Sequence, residues 1–310
     1  MHAVRLEAIR YAAPGVSLFE LARPDGRPLP AWDAGSHVDL HLPNGLVRQY
    51  SLLGSSDPGR YLLGVKRDPV GRGGSAWLHD KVRVGDVLQL DGPRNHFPLA
   101  EQAAHSVLIA GGIGITPLLA MAARLQALGS SWTLHHAVRS RGDAAFTAEL
   151  AALGGHCHLH CDDEAGAVLD IPALVAAAPA EAHLYCCGPA PMLASFEAAT
   201  AGRPPDRVHV EYFTAKAPPA TQGGFTVELA RSRRELRVAP GQSILDTVLE
   251  AGIDCGYACM QGTCGSCEAR VLAGEPDHRD GLLPPERRLA EGTMLICCSG
   301  SRGERLVLDL

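Results

Sequence analysis

Four cysteines constrain the last third of this chain more than any other feature. Cys259, Cys264, Cys267 and Cys297 stand in the pattern Cys-x4-Cys-x2-Cys-x29-Cys. Three thiolates on one short loop and a fourth from a distant segment describe a cage that holds two irons and two sulfides and changes charge one electron at a time. Gly262 and Gly265 allow the loop to turn tightly and aim N-H groups at sulfur. Four thiolates also suit a structural zinc ion, although zinc sites more often pair two short Cys-x2-Cys knuckles. A one-electron centre of this kind needs an electron source, and the cage occupies too little of the chain to be the whole protein.

At 310 residues the chain has room for two or three domains, each burying its own core. A formal net charge of -6 with no Lys/Arg-rich run argues against a nucleic-acid partner. The start, Met1 to Glu7, lacks a basic segment followed by an apolar core. The longest apolar stretch, Val107 to Ala123, is interrupted by Gly111, Gly112, Gly114 and Pro117 and falls short of the roughly 20 residues a membrane span needs. A soluble, cytoplasmic protein without a membrane partner is therefore expected. The ten cysteines fit reduced thiols in a reducing compartment. Cys297 and Cys298 are adjacent, and neighbours on a strand face opposite ways, so only one can reach the cage. Cys255 reads as a small buried residue near the loop rather than a further ligand.

The clearest boundary is Thr214 to Gly224, a Pro/Gly/Thr stretch without apolar periodicity. Beyond it, Phe225, Val227 and Leu229 alternate with polar residues, as do Leu236 and Val238, giving a hairpin with Arg231 to Glu235 at its turn. Ser243 opens a helix whose Ile244, Leu245, Val248 and Leu249 share a face and which ends near Gly252. With a last strand at Arg305 to Leu310, residues 225–310 read as a small mixed sheet around one helix.

Upstream, the strand Ser106 to Ala110 runs into Gly111-Gly112-Ile113-Gly114-Ile115-Thr116-Pro117 and a helical run to Leu128. Strand, glycine turn and helix N-terminus make an anion site, to which Thr116 can add a hydroxyl. Pro117 stands where the dinucleotide fingerprint has a third glycine, so the turn alone leaves nucleotide binding and a plain strand-helix turn open. Strands at Trp132 to Val138, His156 to Cys161 and His183 to Cys187 alternate with Ala/Leu helices, the pattern of a covered parallel sheet. Cys187-Gly188-Pro189 then falls at the carboxyl edge, where such folds bind ligands. The tract His156 to Asp163 resembles a metal site, but on a strand His156, His158 and His160 share one face and Cys157 and Cys161 the other, so they do not converge.

Met1 to about Leu99 has little helical periodicity. Its strand-like pieces, Ala3 to Ile9, Val16 to Leu21, His37 to Leu42, Leu46 to Leu53, Tyr61 to Lys66 and Val87 to Leu90, suit a small antiparallel barrel. Arg48-Gln49-Tyr50-Ser51 sets a fixed charge, a planar ring and a hydroxyl side by side, and Arg72-Gly73-Gly74-Ser75 offers backbone N-H groups and a hydroxyl to a phosphate. Each also reads as ordinary strand or turn.

Taken in order, these motifs resemble the phthalate dioxygenase reductase family, which includes vanillate O-demethylase reductases. The resemblance rests on Arg48 to Leu52, Val65-Lys66-Arg67-Asp68, Gly71 to Ser75, Pro93 to Leu99, Gly111 to Pro117, Cys187-Gly188-Pro189, Glu211-Tyr212-Phe213 and the cysteine loop. It implies a multidomain α/β plus β protein: a flavin-binding antiparallel β-barrel (1–100), a parallel-sheet NAD-binding domain (101–213), a linker (214–224) and a β-grasp plant-type ferredoxin domain (225–310). It further implies that Tyr50 lies along the flavin ring, that Ser51 bonds near its reactive nitrogen, and that Arg48, Gly74 and Ser75 hold the phosphate. Gln49, Val65, Lys66 and Gly73 complete that FMN site, and Phe213 covers the ring face. The Pro93 to Phe97 turn favours FMN over FAD. Gly112, Gly114, Thr116, Arg139, Cys187, Gly188 and Pro189 become the dinucleotide site, and Cys297 aligns as the fourth 2Fe-2S ligand. Ala258 and Met260 depart from the family, whose members tend to have Ser and Glu there.

The implied reaction follows from electron counting. Nicotinamide delivers electrons in pairs, the cluster takes one at a time, and a flavin bridges the two. The expected path is NADH to FMN to 2Fe-2S to a Rieske-type oxygenase that docks transiently with a monomeric reductase, with no side chain acting as acid or base. Arg139 and Arg141 leave NADPH open, either as partners of a 2'-phosphate or as solvated loop charges. Two rivals remain: a flavin diaphorase reducing a quinone or ferric chelate, for which the iron-sulfur tail is superfluous, and a noncatalytic iron-sulfur carrier or redox sensor.

Overall fold

A computed structural model describes residues 1–54, 59–283 and 285–310. The chain divides into two compact units, Met1–Glu211 and Tyr212–Leu310. Among the described residues no helix is long and apolar enough to cross a membrane.

The first unit begins with β1 (His2–Ala13), β2 (Val16–Ala22), β3 (Ser36–His41), β4 (Val47–Ser51), β5 (Arg60–Lys66), the short helix α1 (Gly74–Asp80) and β6 (Val87–Asn95). The strands pair antiparallel in the order β4-β3-β6-β1-β2-β5. A bridge between Leu52 and Leu63 brings the two edge strands together and closes the barrel, which removes the exposed edges of an open sheet. Inward positions such as Val4, Leu6, Val38, Leu40, Leu63 and Val65 fill it. The strands expected from alternation are present, whereas α1 is an addition: seven residues beginning with glycine are too few to show a helical period.

Next come β7 (Ser106–Gly111), α2 (Ile115–Leu128), β8 (Trp132–Val138), α3 (Thr147–Ala152), β9 (Cys157–Cys161), α4 (Asp162–Ala165), α5 (Ile171–Ala177), β10 (His183–Cys187), α6 (Ala190–Thr200) and β11 (Val208–Glu211). They form a parallel sheet in the order β9-β8-β7-β10-β11. The order reverses between β7 and β10, the switch point where open α/β sheets bind ligands beyond their carboxyl ends.

Barrel and parallel sheet share one apolar core. Val16, Leu18, Leu53 and Phe97 pack with Leu108, Ile115, Leu118 and Tyr185, and the Tyr185 hydroxyl accepts a hydrogen bond from Ala100 N at 2.8 Å. At Gly64 on β5 there is no room for a side chain. A Cβ there would lie 2.8 Å from Phe146 Cζ and 2.8 Å from Thr116 Cγ2. Phe146 itself is buried in the left-handed region at φ 61°, a conformation costly for an aromatic residue that surrounding packing must enforce.

The second unit contains β12 (Phe225–Leu229), β13 (Arg234–Val238), α7 (Ile244–Glu250), β14 (Glu268–Ala273), β15 (Pro276–Asp277), α8 (Pro285–Glu291), β16 (Thr293–Leu295), β17 (Gly300–Ser301) and β18 (Arg305–Leu308). The main sheet runs β13-β12-β18-β14-β16, with β12 and β18 parallel and the other pairs antiparallel. Ser243 and Asp246 form a reciprocal cap on α7, at 3.1 and 3.0 Å, and Gly252 ends the turn at φ 74°. Ile244, Leu245 and Val248 bury its inner face against the sheet. The expected hairpin and helix are there, but a second helix, α8, and the strands β14 to β17 enlarge the simpler sheet expected. Strands of two or three residues carry no alternation to read.

Replacing Gly64 with Ala is expected to destabilise the first unit by about 1–3 kcal/mol through overpacking. The thermal midpoint should fall by roughly 3–10 °C. An unchanged midpoint would show that Phe146 and Thr116 yield freely.

Candidate functional site

In the second unit Cys259, Cys264, Cys267 and Cys297 are all buried. Residues 259–265 bend around the first two through three left-handed positions, Met260 at φ 54°, Gly262 at 70° and Gly265 at 77°. This aims amides at sulfur: Gln261 N and Thr263 N donate to Cys259 Sγ at 3.3 and 3.4 Å, and Cys259 N donates to Cys264 Sγ at 3.4 Å. The fourth cysteine arrives by strand register. Glu268 pairs with Leu295, and Ile296 N donates to Cys267 O at 3.3 Å, which sets Cys297 beside Cys267. Leu245 N at the start of α7 donates to Ile296 O at 3.0 Å and fixes this corner. The neighbouring Cys297 thiol, followed by burial, raises the Cys267 thiol far above the usual range, and Cys259 with burial does the same to Cys264. Sulfurs this crowded shed their protons only to a strongly positive centre, as an iron-sulfur core supplies. Cys298 Sγ lies 3.7 Å from Leu295 O and packs at Gly262, and Cys255 packs at the margin of the core.

In the first unit the side chain of Arg48 lies across the backbone ahead of α1. Its Nη2 donates to Arg72 O at 2.9 Å, and a Cβ on Gly74 would sit 2.5 Å from its Nε. Gly73 is left-handed at φ 80°, and Ser75 Oγ accepts from Asp68 N at 3.0 Å, tying down the preceding loop. Gln49 spends its amide on Asp39 Oδ1 at 2.7 Å, and Asp39 is also ion-paired with Arg94. Val65 points into the barrel core and its carbonyl meets His79 Nε2 at 3.0 Å, while Lys66 is exposed at the strand end. Burial pushes the Tyr50 phenol upward. Ser51 Oγ is buried with no hydrogen-bond partner among the described residues, which leaves it for a water or a ligand to satisfy. Phe213 lies in the second unit and is 38% exposed.

At the switch point two turns meet backbone to backbone. A Cβ on Gly114 would collide with the Cys187 carbonyl, and one on Gly111 would lie 2.5 Å from Pro189 Cδ. Gly112 takes φ 52°, and its carbonyl meets His136 Nε2 at 3.1 Å. Gly112, Gly114, Cys187, Gly188 and Pro189 are thus brought together. Thr116 is not on their open side: it is 2% exposed, its hydroxyl donates to Ile113 O at 3.0 Å and its methyl packs at Gly64. Its hydroxyl serves the start of its own helix. Arg139 is exposed at the end of β8.

Two groups at this edge were given no role by the sequence reading. Glu211 sits opposite Cys187 in the β10-β11 register, with Oε2 buried and unpartnered. Burial pushes its carboxyl up to about 8, and burial with the Glu211 charge raises the Cys187 thiol. The signal available was a carboxylate ending a strand of a buried sheet. His136 supports the glycine turn, and its Nδ1 is buried without a partner. Of the His156 to Asp163 tract, Cys161 and Asp163 lie with Glu164 so that their donor atoms are within 4.8 Å of one another, and no histidine joins them.

Burial holds three imidazoles neutral, His37 down to about 3, His136 to about 4 and His209 to about 4. These values lie below the unfolded value near 6.5, so as pH falls the unfolded chain takes up protons first. These histidines should lower the stability of the first unit below about pH 6.5 towards about pH 4, by up to about 1.4 kcal/mol per pH unit each, offset in part by Glu211, whose raised carboxyl takes up its proton first in the folded chain. Urea midpoints measured between pH 7.5 and 4.5 check this, and a flat profile would contradict it.

Residues 227–301 match the model of the 2Fe-2S iron-sulfur cluster binding domain, a span that contains all four cage cysteines. The chain is 54% identical over 310 residues to phenoxybenzoate dioxygenase subunit beta of Ectopseudomonas oleovorans, covering 99% of this chain and 97% of that one. It is 47% identical over 311 residues to tetrachlorobenzoquinone reductase of Sphingobium chlorophenolicum, covering 97% and 96%. The solved structure of phthalate dioxygenase reductase, described as modular for electron transfer from pyridine nucleotides to 2Fe-2S, superposes with a TM-score of 0.75 at 36% identity, covering 99% of this chain and 97% of that one. With identity of this order along the whole chain, over a barrel, a parallel sheet and a cysteine cage in the same order, the chain belongs to the phthalate dioxygenase reductase family.

Proposed function

We propose that this protein takes electrons from NADH through FMN to a 2Fe-2S cluster and delivers them singly to a Rieske-type oxygenase. The observation that carries the reading is the buried convergence of Cys259, Cys264, Cys267 and Cys297 on a chain that also holds a switch-point crevice. Flavin supplies the exchange between paired and single electrons, and the cluster accepts them one by one. The chain's own contribution is placement. Arg48, with the backbone of Gly73 and Gly74 and the Ser75 hydroxyl, forms a cradle for a phosphate. Ser51 has an unspent hydroxyl to direct at a ring nitrogen, Tyr50 gives the ring an apolar wall, and Lys66 adds a positive charge at the strand end. Gln49 acts indirectly, holding Asp39 and through it Arg94 of the Pro93 to Phe97 turn, whose resemblance to the FMN branch favours FMN over FAD.

At the crevice, Gly112 and Gly114 let a diphosphate approach the start of α2, and the Cys187 to Pro189 edge with Glu211 receives the nicotinamide. Glu211, protonated up to about pH 8, has a proton to donate in a hydrogen bond. No residue needs to move a proton for hydride transfer, so the protein works by orientation. We place it in the cytoplasm as a monomer that docks transiently, with its ten free thiols kept reduced.

A second reading follows from the likeness to tetrachlorobenzoquinone reductase: a small quinone as the acceptor. Cys297→Ala separates the two. For a protein acceptor, the variant should lose the cluster's visible absorption and its paramagnetic signal after dithionite. It should still allow NADH to bleach the flavin without air, and reduction of the Rieske partner should fall to background. Cys298→Ala should keep all four properties. Undiminished physiological turnover in Cys297→Ala would favour the quinone reading, and failure of NADH to bleach the wild-type flavin would sink both.

A further inference from the structure

We infer that Glu164 sets the choice between NADH and NADPH by holding Arg141 away from a ribose 2'-phosphate. The inference rests on the dinucleotide reading above and adds the residue that decides which dinucleotide is accepted. In a sheet of this order an extended dinucleotide crosses the carboxyl ends of the strands with its diphosphate at the turn after β7. With the nicotinamide end toward Cys187 and Glu211 on β10 and β11, the adenosine end falls over β8, one strand spacing to the other side. The residues there are Arg139 to Asp143.

A 2'-phosphate at that position calls for a free guanidinium, which grips phosphate bidentately, and for spare N-H or hydroxyl donors. Arg139 is exposed at this edge, but Arg141 and Ser140, which would complete such a grip, are already engaged. Arg141 Nε and Nη2 donate to the two Glu164 carboxylate oxygens at 2.8 and 2.7 Å, so the planar fork is already filled by a planar acid. The Ser140 hydroxyl and amide both donate to Asp143 Oδ2, at 2.8 and 3.2 Å. Helix α4 is tied to the strand end by Asp163 N donating to Arg139 O at 3.0 Å, which keeps Asp163 and Glu164 at the same edge. Two arginines there face four acids, Asp143, Asp162, Asp163 and Glu164. A phosphate carrying close to two negative charges meets a surplus of carboxylate, whereas a 2'-hydroxyl is not repelled. Because the Arg141-Glu164 pair is exposed, its hold is modest, so one substitution suffices to release the arginine.

The test uses the full-length flavin- and cluster-loaded protein and two non-reducible probes, adenosine 5'-monophosphate and adenosine 2',5'-bisphosphate, titrated by calorimetry. Wild type should prefer the monophosphate. Glu164→Gln should shift the affinity ratio toward the bisphosphate by about tenfold, the scale of one charge-assisted phosphate contact. The NADPH to NADH ratio of kcat/KM should move the same way. Adding Arg141→Ala to Glu164→Gln should abolish the shift, which identifies the released guanidinium as its cause. A ratio that moves by less than about threefold in a folded Glu164→Gln protein, or a shift that survives loss of Arg141, overturns the inference while leaving the dinucleotide reading intact. If neither nucleotide binds and NADH leaves the flavin yellow, the dinucleotide reading itself falls and takes the inference with it.

Discussion

The second unit is organised by the difficulty of burying four sulfurs. Each thiolate moved away from water carries a large desolvation cost, and four together repel one another, so the arrangement is favourable only around a positive centre. Everything near the cage serves that requirement: the loop turns three times through the left-handed region to bring amides onto Cys259, and β14, β16 and the start of α7 fix Cys297 from the other side. The apolar core of the unit contains Cys267 and Cys297 themselves. Core formation and cluster binding are therefore one event energetically, as in other small metal-centred domains.

The first unit solves a different problem, the close approach of backbones. Gly64, Gly111, Gly114 and Gly188 each stand where a methyl group would strike a neighbour, and together they bring β5, the turn after β7 and the turn after β10 into contact. Rigidity of this kind suits a site that works by orientation, where reacting atoms must be held within a few tenths of an ångström. The low-lying imidazole of His136 belongs to the same scheme. A neutral ring donates to the Gly112 carbonyl and leaves the turn free of an extra charge beside the place where a diphosphate would sit.

How much of this the sequence disclosed depends on how local the determinant is. The cysteine spacing, the alternation in β1 to β6 and the Ser243 cap are local patterns, and each led to the right kind of element. What stayed hidden depends on register between distant strands. Glu211 matters because β11 pairs with β10 so that it faces Cys187, and nothing within residues 208–213 states that pairing. The packing of Thr116 was hidden for the same reason: its hydroxyl donates to Ile113 O at its own helix start, and its methyl packs at a glycine 52 positions earlier in the chain. Cys297 and Cys298 could be separated by alternation only into one or the other, and it was the pairing of Glu268 with Leu295 that set Cys297 beside Cys267.

Met260 shows how the cage constrains even an exposed side chain. Left-handed backbone disfavours any residue with a Cβ, and glycine is the usual solution, as it is at Gly262 and Gly265. Met260 nonetheless adopts φ 54° with its side chain 36% exposed, because the donation of Gln261 N to Cys259 Sγ at 3.3 Å requires that turn. Hydrogen bonds to sulfur raise a cluster's potential by stabilising the reduced, more negative form. A carboxylate at this position would act in the opposite sense, so an uncharged thioether leaves the cage easier to reduce than a charged neighbour would. With plant-type clusters near about -400 mV, a modest upward shift still leaves the reduced cluster a strong one-electron donor.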